Sequence, residues 1–220
     1  MSADGLRTVQ QRIAAAAQAA GRPADDVRLI AVSKTFPVER IREIAAAGQR
    51  LFGENKVQEA LAKQDELDNI EWHLIGPLQR NKARQVVGRF ALLHGVDSIR
   101  LVDELQRRAA NADVRQPILL QVRLGGEETK SGVDAEELST LVDHVLDCPA
   151  LELRGLMTIP SREEPQRWFA QLRELAEKER TRSGLALPEL SMGMSGDYEL
   201  AIAEGATLVR VGRAIFGERA

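Results

Sequence analysis

The chain opens with an apolar rhythm of three- and four-residue steps. Leu6, Val9, Ile13 and Ala17 recur, and Gly21-Arg22-Pro23 breaks the pattern. That spacing predicts a helix over 4–20 with one buried face. From residue 28 the pattern changes. Short apolar runs at 28–33, 50–52, 70–75, 90–95, 117–123, 151–157, 188–192 and 207–211 read as strands. The intervening segments 37–47, 54–68, 78–88, 98–112, 134–146, 163–182 and 196–203 read as helices. Strands that alternate with helices predict parallel pairing through βαβ crossovers. Eight such strands predict an α/β fold closed into a single (β/α)8 TIM barrel, with 4–20 as an extra N-terminal helix; a doubly wound open sheet is the rival. No linker, low-complexity tract or sequence repeat divides the chain, so residues 1–220 read as one domain.

A barrel carries its site at the C-terminal ends of its strands. Those ends hold Lys34, Gly53-Glu54-Asn55, Gly76-Pro77-Leu78-Gln79, Val96-Asp97, Arg123, Met157-Thr158, Ser191 through Ser195, and Arg210 through Arg213. Arg28, Arg50, Arg89, Gln116 and Glu152 mark the opposite ends.

Composition narrows the function classes. At 220 residues the chain sits near the lower limit of roughly 200 for this barrel. A hydrophobic share of 44% beside 29% charged residues predicts a globular chain. A net charge of −3 gives no broad case for nucleic-acid binding, and 4% aromatics argues against base stacking. One cysteine, Cys148, precludes an intramolecular disulfide and fits a reducing compartment. The first residues lack the basic and apolar regions of a signal peptide. The expectation is a cytoplasmic protein.

Lys34 follows an apolar run. A lysine at a barrel mouth can be desolvated, which frees its amine to attack a carbonyl; the alternative is a lysine that snorkels to solvent. Arg210 could face a ring nitrogen as a permanent cation, or pair with a carboxylate. Gly212 and Arg213 offer backbone N–H groups to an anion, unless Gly212 is a simple turn. Ser191 and Ser195 bracket Met192-Gly193-Met194 and suit a phosphate cup, with Ser195 also a candidate N-cap. Asn55 could bond a ligand hydroxyl or cap a helix. His73 reads as a lumen or core histidine, while His94 and His144 have no partner at metal-ligand spacing. The polar Gly125–Gly132 stretch reads as a rim loop, with Lys130 a weaker candidate for phosphate contact. Met192 and Met194 read as packing residues. Together these residues point to a phosphorylated carbonyl compound, held by an amine at one end and an anion cup at the other. A cofactor and a sugar phosphate both answer that description.

One family carries these motifs in this order: Ala31-Val32-Ser33-Lys34, Gly53-Glu54-Asn55-Lys56-Val57-Gln58-Glu59, Trp72-His73-Leu74-Ile75-Gly76-Pro77-Leu78-Gln79-Arg80-Asn81-Lys82, Lys130-Ser131-Gly132, Gly155-Leu156-Met157, Ser191-Met192-Gly193-Met194-Ser195 and Val209-Arg210-Val211-Gly212. From about residue 28 to 217 the chain resembles the pyridoxal 5′-phosphate (PLP) homeostasis protein family, also called YggS/PROSC. The resemblance implies a barrel like the N-terminal domain of alanine racemase, the type III fold of PLP proteins. It implies a Schiff base between PLP and Lys34, with Arg210 at the pyridine nitrogen and Asn55 near the ring substituents. The phosphate would lie on Gly212, Arg213, Ser195 and Ser191. Lys56 stands where a tyrosine is expected, a change confined to a rim contact. The implied role is a non-catalytic carrier or regulator of PLP and amino-acid pools, a monomer that could serve apo PLP-dependent enzymes. The alternative is a PLP-dependent amino-acid racemase.

Overall fold

The computed structural model describes residues 2–125, 131–161 and 163–217, with the side chain of Ser2 left aside. Lys130 lies outside these residues. Eight parallel strands close on themselves in sequence order: β1 (Arg28–Val32), β2 (Leu51–Glu54), β3 (Glu71–Leu74), β4 (Leu92–Val96), β5 (Gln116–Gln121), β6 (Leu151–Met157), β7 (Glu189–Ser191) and β8 (Leu208–Val211). The helices are α1 (Ser2–Ala19), α2 (Val38–Ala46), α3 (Val57–Gln64), α4 (Ala83–Val86), α5 (Ile99–Asn111), α6 (Leu138–Leu146), α7 (Pro165–Ser183), α8 (Tyr198–Ala203) and α9 (Arg213–Phe216). Closure excludes the open sheet.

Side-chain alternation divides each strand between two cores. Ile30, Val32, Leu51, Ile75, Leu92, Leu119, Met157 and Leu208 form an inner apolar cluster. Leu29, Ala31, Phe52, Leu74, Leu93, Ile118, Leu120, Val209 and Val211 pack outward into the larger core beneath the helices. The predicted stripe of α1 is buried at Leu6, Val9, Ile13 and Ala17, and the helix packs against α8 and α9. Gly5 sits so close to α9 that an added Cβ would lie 2.7 Å from the Ala214 carbonyl oxygen.

Element boundaries depart from the sequence expectation where a loop has its own bonding. Glu54 ends β2 rather than opening α3, and Lys56 is the residue before that helix. The segment expected as a helix over 78–88 is a 3-10 turn at Arg80–Lys82 followed by the single turn of α4. Residues 134–137 stay outside α6: Val133 bridges to Val122, and Asp134 binds Arg123 at 2.6 Å. In β6 the register slips by one residue against β5, between Leu153 and Gly155. Gly155 has φ +153°, and a Cβ there would collide with the Glu189 carbonyl oxygen. Only glycine lets β6 approach β7 this closely.

Candidate functional site

Lys34 leaves the end of β1 at the C-terminal mouth of the barrel. The pairing of Val32 with Gly53 puts Asn55 at the adjoining end of β2. Both are partly exposed. The backbone around Lys34 is held on both sides by one buried ionic cluster. Lys63 Nζ on α3 donates to the Ser33 carbonyl at 2.9 Å and to Glu54 and Glu59 at 2.7 Å each. Ser33 Oγ donates to Glu54 at 2.6 Å, and the Thr35 N–H donates to Glu59 at 2.6 Å. Thr35 is thereby kept at φ +70°, an unfavourable conformation for a β-branched residue. Burial pushes the Glu54 carboxyl above its ordinary range against the pull of Lys63 and Ser33. Glu59 is also opposed by burial, but Lys63 and the Thr35 N–H bring it below the ordinary range. Glu54 Oε2 is buried without a partner among the described residues.

Arg210 projects into the lumen from β8, level with Ile30 on β1. It is 4% exposed. Its Nη1 donates to Ser191 Oγ at 2.5 Å and its Nη2 to the Thr158 carbonyl at 2.9 Å. No carboxylate pairs with it among the described residues. Burial lowers its pKa to about 10, against the attraction of Asp197, so it is still a cation at neutral pH. A guanidinium has five N–H groups. Those beyond these two bonds have no acceptor among the described residues. A buried cation with open donors fits a ligand that brings acceptor atoms.

The ends of β7 and β8 lie side by side and supply more donors. The backbone N–H groups of Ser195 and Gly196 after β7, and of Gly212, Arg213 and Ala214 after β8, have no acceptor among the described residues. Gly212 packs on Val32, where a Cβ would stand 3.2 Å from the carbonyl oxygen. Gly193, at φ +88°, lets the β7 turn press onto α8, with no room for a Cβ beside Ala201. Clustered N–H groups after late barrel strands form an anion cradle. Ser195 belongs to it and is not the N-cap. Asp197 precedes α8, and its carboxylate accepts the Met194 N–H at 2.6 Å.

Ser191, another expected phosphate ligand, is the last residue of β7. It is fully buried, its Oγ accepting from Arg210 and lying 2.9 Å from His94 Nδ1. Its hydroxyl orients the guanidinium from below. Asn55 caps no helix, and Arg213 is exposed on the rim. His94 and Lys63 are not marked as site residues by the sequence pattern; His94 meets Ser191 97 positions away and Lys63 meets Ser33 30 positions away, and Thr158, at its expected strand end, acts through its backbone carbonyl.

A parallel barrel with a lysine after β1, a buried arginine on β8 and an anion cradle after β7 and β8 defines a class of small-molecule-binding barrels. The alanine racemase N-terminal domain family matches residues 5–220. Pyridoxal phosphate homeostasis proteins of Aquifex aeolicus and Pseudomonas aeruginosa are 44% and 46% identical to this chain, covering 97% and 99% of it and 96% and 95% of their own lengths. The structure of PipY from Synechococcus elongatus, with PLP bound, superimposes with a TM-score of 0.87 at 41% identity, covering 99% of this chain and 100% of PipY. The chain belongs to the pyridoxal phosphate homeostasis protein family, within the alanine racemase N-terminal domain fold.

Proposed function

We propose that this protein binds PLP covalently on Lys34 and acts as a reversible carrier and regulator of the cofactor. PLP supplies an aldehyde that condenses reversibly with an amine, a pyridine nitrogen and a phosphate dianion. Lys34 would hold the aldehyde carbon as a Schiff base. Arg210 would offer an open N–H to the pyridine nitrogen; a fixed cation there keeps that nitrogen unprotonated, which weakens the ring as an electron sink. The N–H groups of Ser195, Gly196, Gly212, Arg213 and Ala214 would receive the phosphate, and Asn55 would face the ring substituents. Ser191 is assigned to Arg210 rather than to the phosphate. The observation that carries the reading is the buried Arg210, with donors unmet among the described residues, in the same lumen as the lysine after β1. PipY with PLP bound supports it from a close relative.

The carrier reading needs no second acid or base. A two-base racemase does need one on the opposite substrate face. The single tyrosine, Tyr198, is buried on α8 outside the lumen, 5.5 Å from the Arg12 guanidinium, and is unsuited to that task. We place the protein in the cytoplasm as a monomer, handing PLP to apo-enzymes. Adding PLP to purified protein tests the reading. A visible band present in the native protein and lost in Lys34→Ala supports it. No band in a correctly folded barrel refutes it. Steady loss of optical rotation from an L-amino acid would favour the racemase.

A further inference from the structure

Beneath Arg210 the lumen holds a chain of hydrogen bonds that cofactor binding alone does not explain. Arg210 Nη1 meets Ser191 Oγ at 2.5 Å, and Ser191 Oγ lies 2.9 Å from His94 Nδ1. His94 Nε2 lies 2.9 Å from His73 Nδ1, and His73 Nε2 lies 3.1 Å from Glu71 Oε1. These five side chains come from β8, β7, β4 and β3. They run from below the cofactor mouth to the opposite mouth, where Glu71 is the first residue of β3. Ser191 and both histidines are buried, whereas the Glu71 side chain is 44% exposed.

The two ends fix the direction of every bond between them. A guanidinium only donates, and a carboxylate only accepts. His73 therefore carries its proton on Nε2, toward Glu71, and accepts at Nδ1. His94 donates from Nε2 to His73 and accepts at Nδ1. Ser191 donates its proton to His94 and offers a lone pair to Arg210. Both imidazoles are neutral in this arrangement. A second proton on His73 would oppose the N–H of His94, and one on His94 would displace the Ser191 proton. The surroundings hold both rings neutral. Burial depresses His94 well below its ordinary range, and the charges of Arg210 above and Arg28 on β1 add to that effect. Burial also depresses His73, against the pull of Glu71 and Glu189. At the far mouth Glu71 lies 3.8 Å from Arg28, which binds Glu189 at 2.7 Å, and Arg154 lies 3.7 Å from Glu189. A cavity of 180 Å³ opens this charged ring to solvent.

We propose that His94 and His73 are positioning residues for Arg210: through Ser191 they form a one-directional brace, anchored on Glu71, that fixes the guanidinium beneath the cofactor ring. This rests on the reading that PLP occupies the lumen above Arg210. Without the brace the Ser191 hydroxyl is free to rotate, and the guanidinium loses the fixed orientation of its lower partner.

Nitrogen-detected NMR of the cofactor-free protein at pH 6.5 tests the direction of the chain without PLP. The expected result is two neutral imidazoles, each protonated on Nε2. A charged ring, or a proton on Nδ1 of either, would overturn the brace. The second arm is PLP titration of His94→Leu beside His94→Gln, whose amide keeps one acceptor and one donor. His94→Leu should weaken PLP retention about tenfold and shift the pH titration of the visible band, with His94→Gln restoring most of both. A folded His94→Leu with native affinity and spectrum would refute the proposal. If His94→Leu does not fold, Glu71→Leu at the solvent-facing end replaces it. With the terminal acceptor gone, His73 should populate both neutral forms; a single unchanged form refutes the proposal. Failure of the native protein to take up PLP would sink the cofactor reading, and the NMR result would still decide whether the brace exists.

Discussion

Replacing Lys63 with methionine separates charge from packing beside Lys34. The substitution keeps most of the apolar stem and removes the ammonium, with its bonds to Ser33, Glu54 and Glu59. Glu54 is 0% exposed, so it is left as a buried carboxyl without its counter-ion. Breaking a buried ion pair costs about 3–5 kcal/mol when the remaining charge stays ionised. Taking up a proton limits that loss. From an ordinary value of 4.5, holding a carboxyl neutral at pH 7 costs about 3.4 kcal/mol, at roughly 1.4 kcal/mol per pH unit. At pH 5 the same proton costs about 0.7 kcal/mol. The sign follows from the raised pKa: the folded state binds the proton more tightly, so the variant is least impaired in acid and loses stability as pH rises. Urea unfolding followed by circular dichroism should show Lys63→Met destabilised by about 3.4 kcal/mol at pH 7, and by about 2.7 kcal/mol less at pH 5. Adding Glu54→Gln should recover more than half of the pH 7 loss. An equal loss at both pH values, with no recovery from Glu54→Gln, would refute the charge argument and leave a packing defect. The same variant should hold PLP less tightly, because the turn that presents Lys34 loses its anchor at Ser33.

Two further predictions follow from the barrel interior. Gly155→Ala forces a Cβ against the Glu189 carbonyl oxygen at φ +153° and should cost at least about 3 kcal/mol in chemical denaturation; a loss under 1 kcal/mol would show that β6 can move away from β7. Both lumen histidines titrate below the ordinary 6.5, so the unfolded chain binds more protons in weak acid. Stability should therefore fall below pH 6.5 by up to about 1.4 kcal/mol per pH unit for each histidine, and a flat profile from pH 6.5 to 5 would show that the rings are charged in the folded protein.

The sequence made the architecture legible because a barrel writes one pattern repeatedly. The apolar run at 151–157 matches β6 residue for residue, and the stripe of α1 is buried as its spacing requires. Boundaries were less legible where a side chain, rather than periodicity, ends an element. Glu54 extends β2 because its carboxylate is drawn to Lys63, and Asp134 is held outside α6 by Arg123. The mouth residues Lys34, Asn55, Ser195, Arg210, Gly212 and Arg213 could be read from strand ends alone. The orientation of Ser191 could not, since it depends on a histidine 97 positions away, nor could the contact between His73 and His94, 21 positions apart. Such pairs become visible only when the register of β3, β4, β7 and β8 is known.

The most direct test of the central claim is the visible absorption spectrum of purified protein titrated with PLP, native beside Lys34→Ala. The account predicts a saturable visible band in the native protein that is absent from the folded variant. A band of equal strength in both proteins would place the covalent bond on another amine, and no band in either would contradict the assignment of PLP to this barrel.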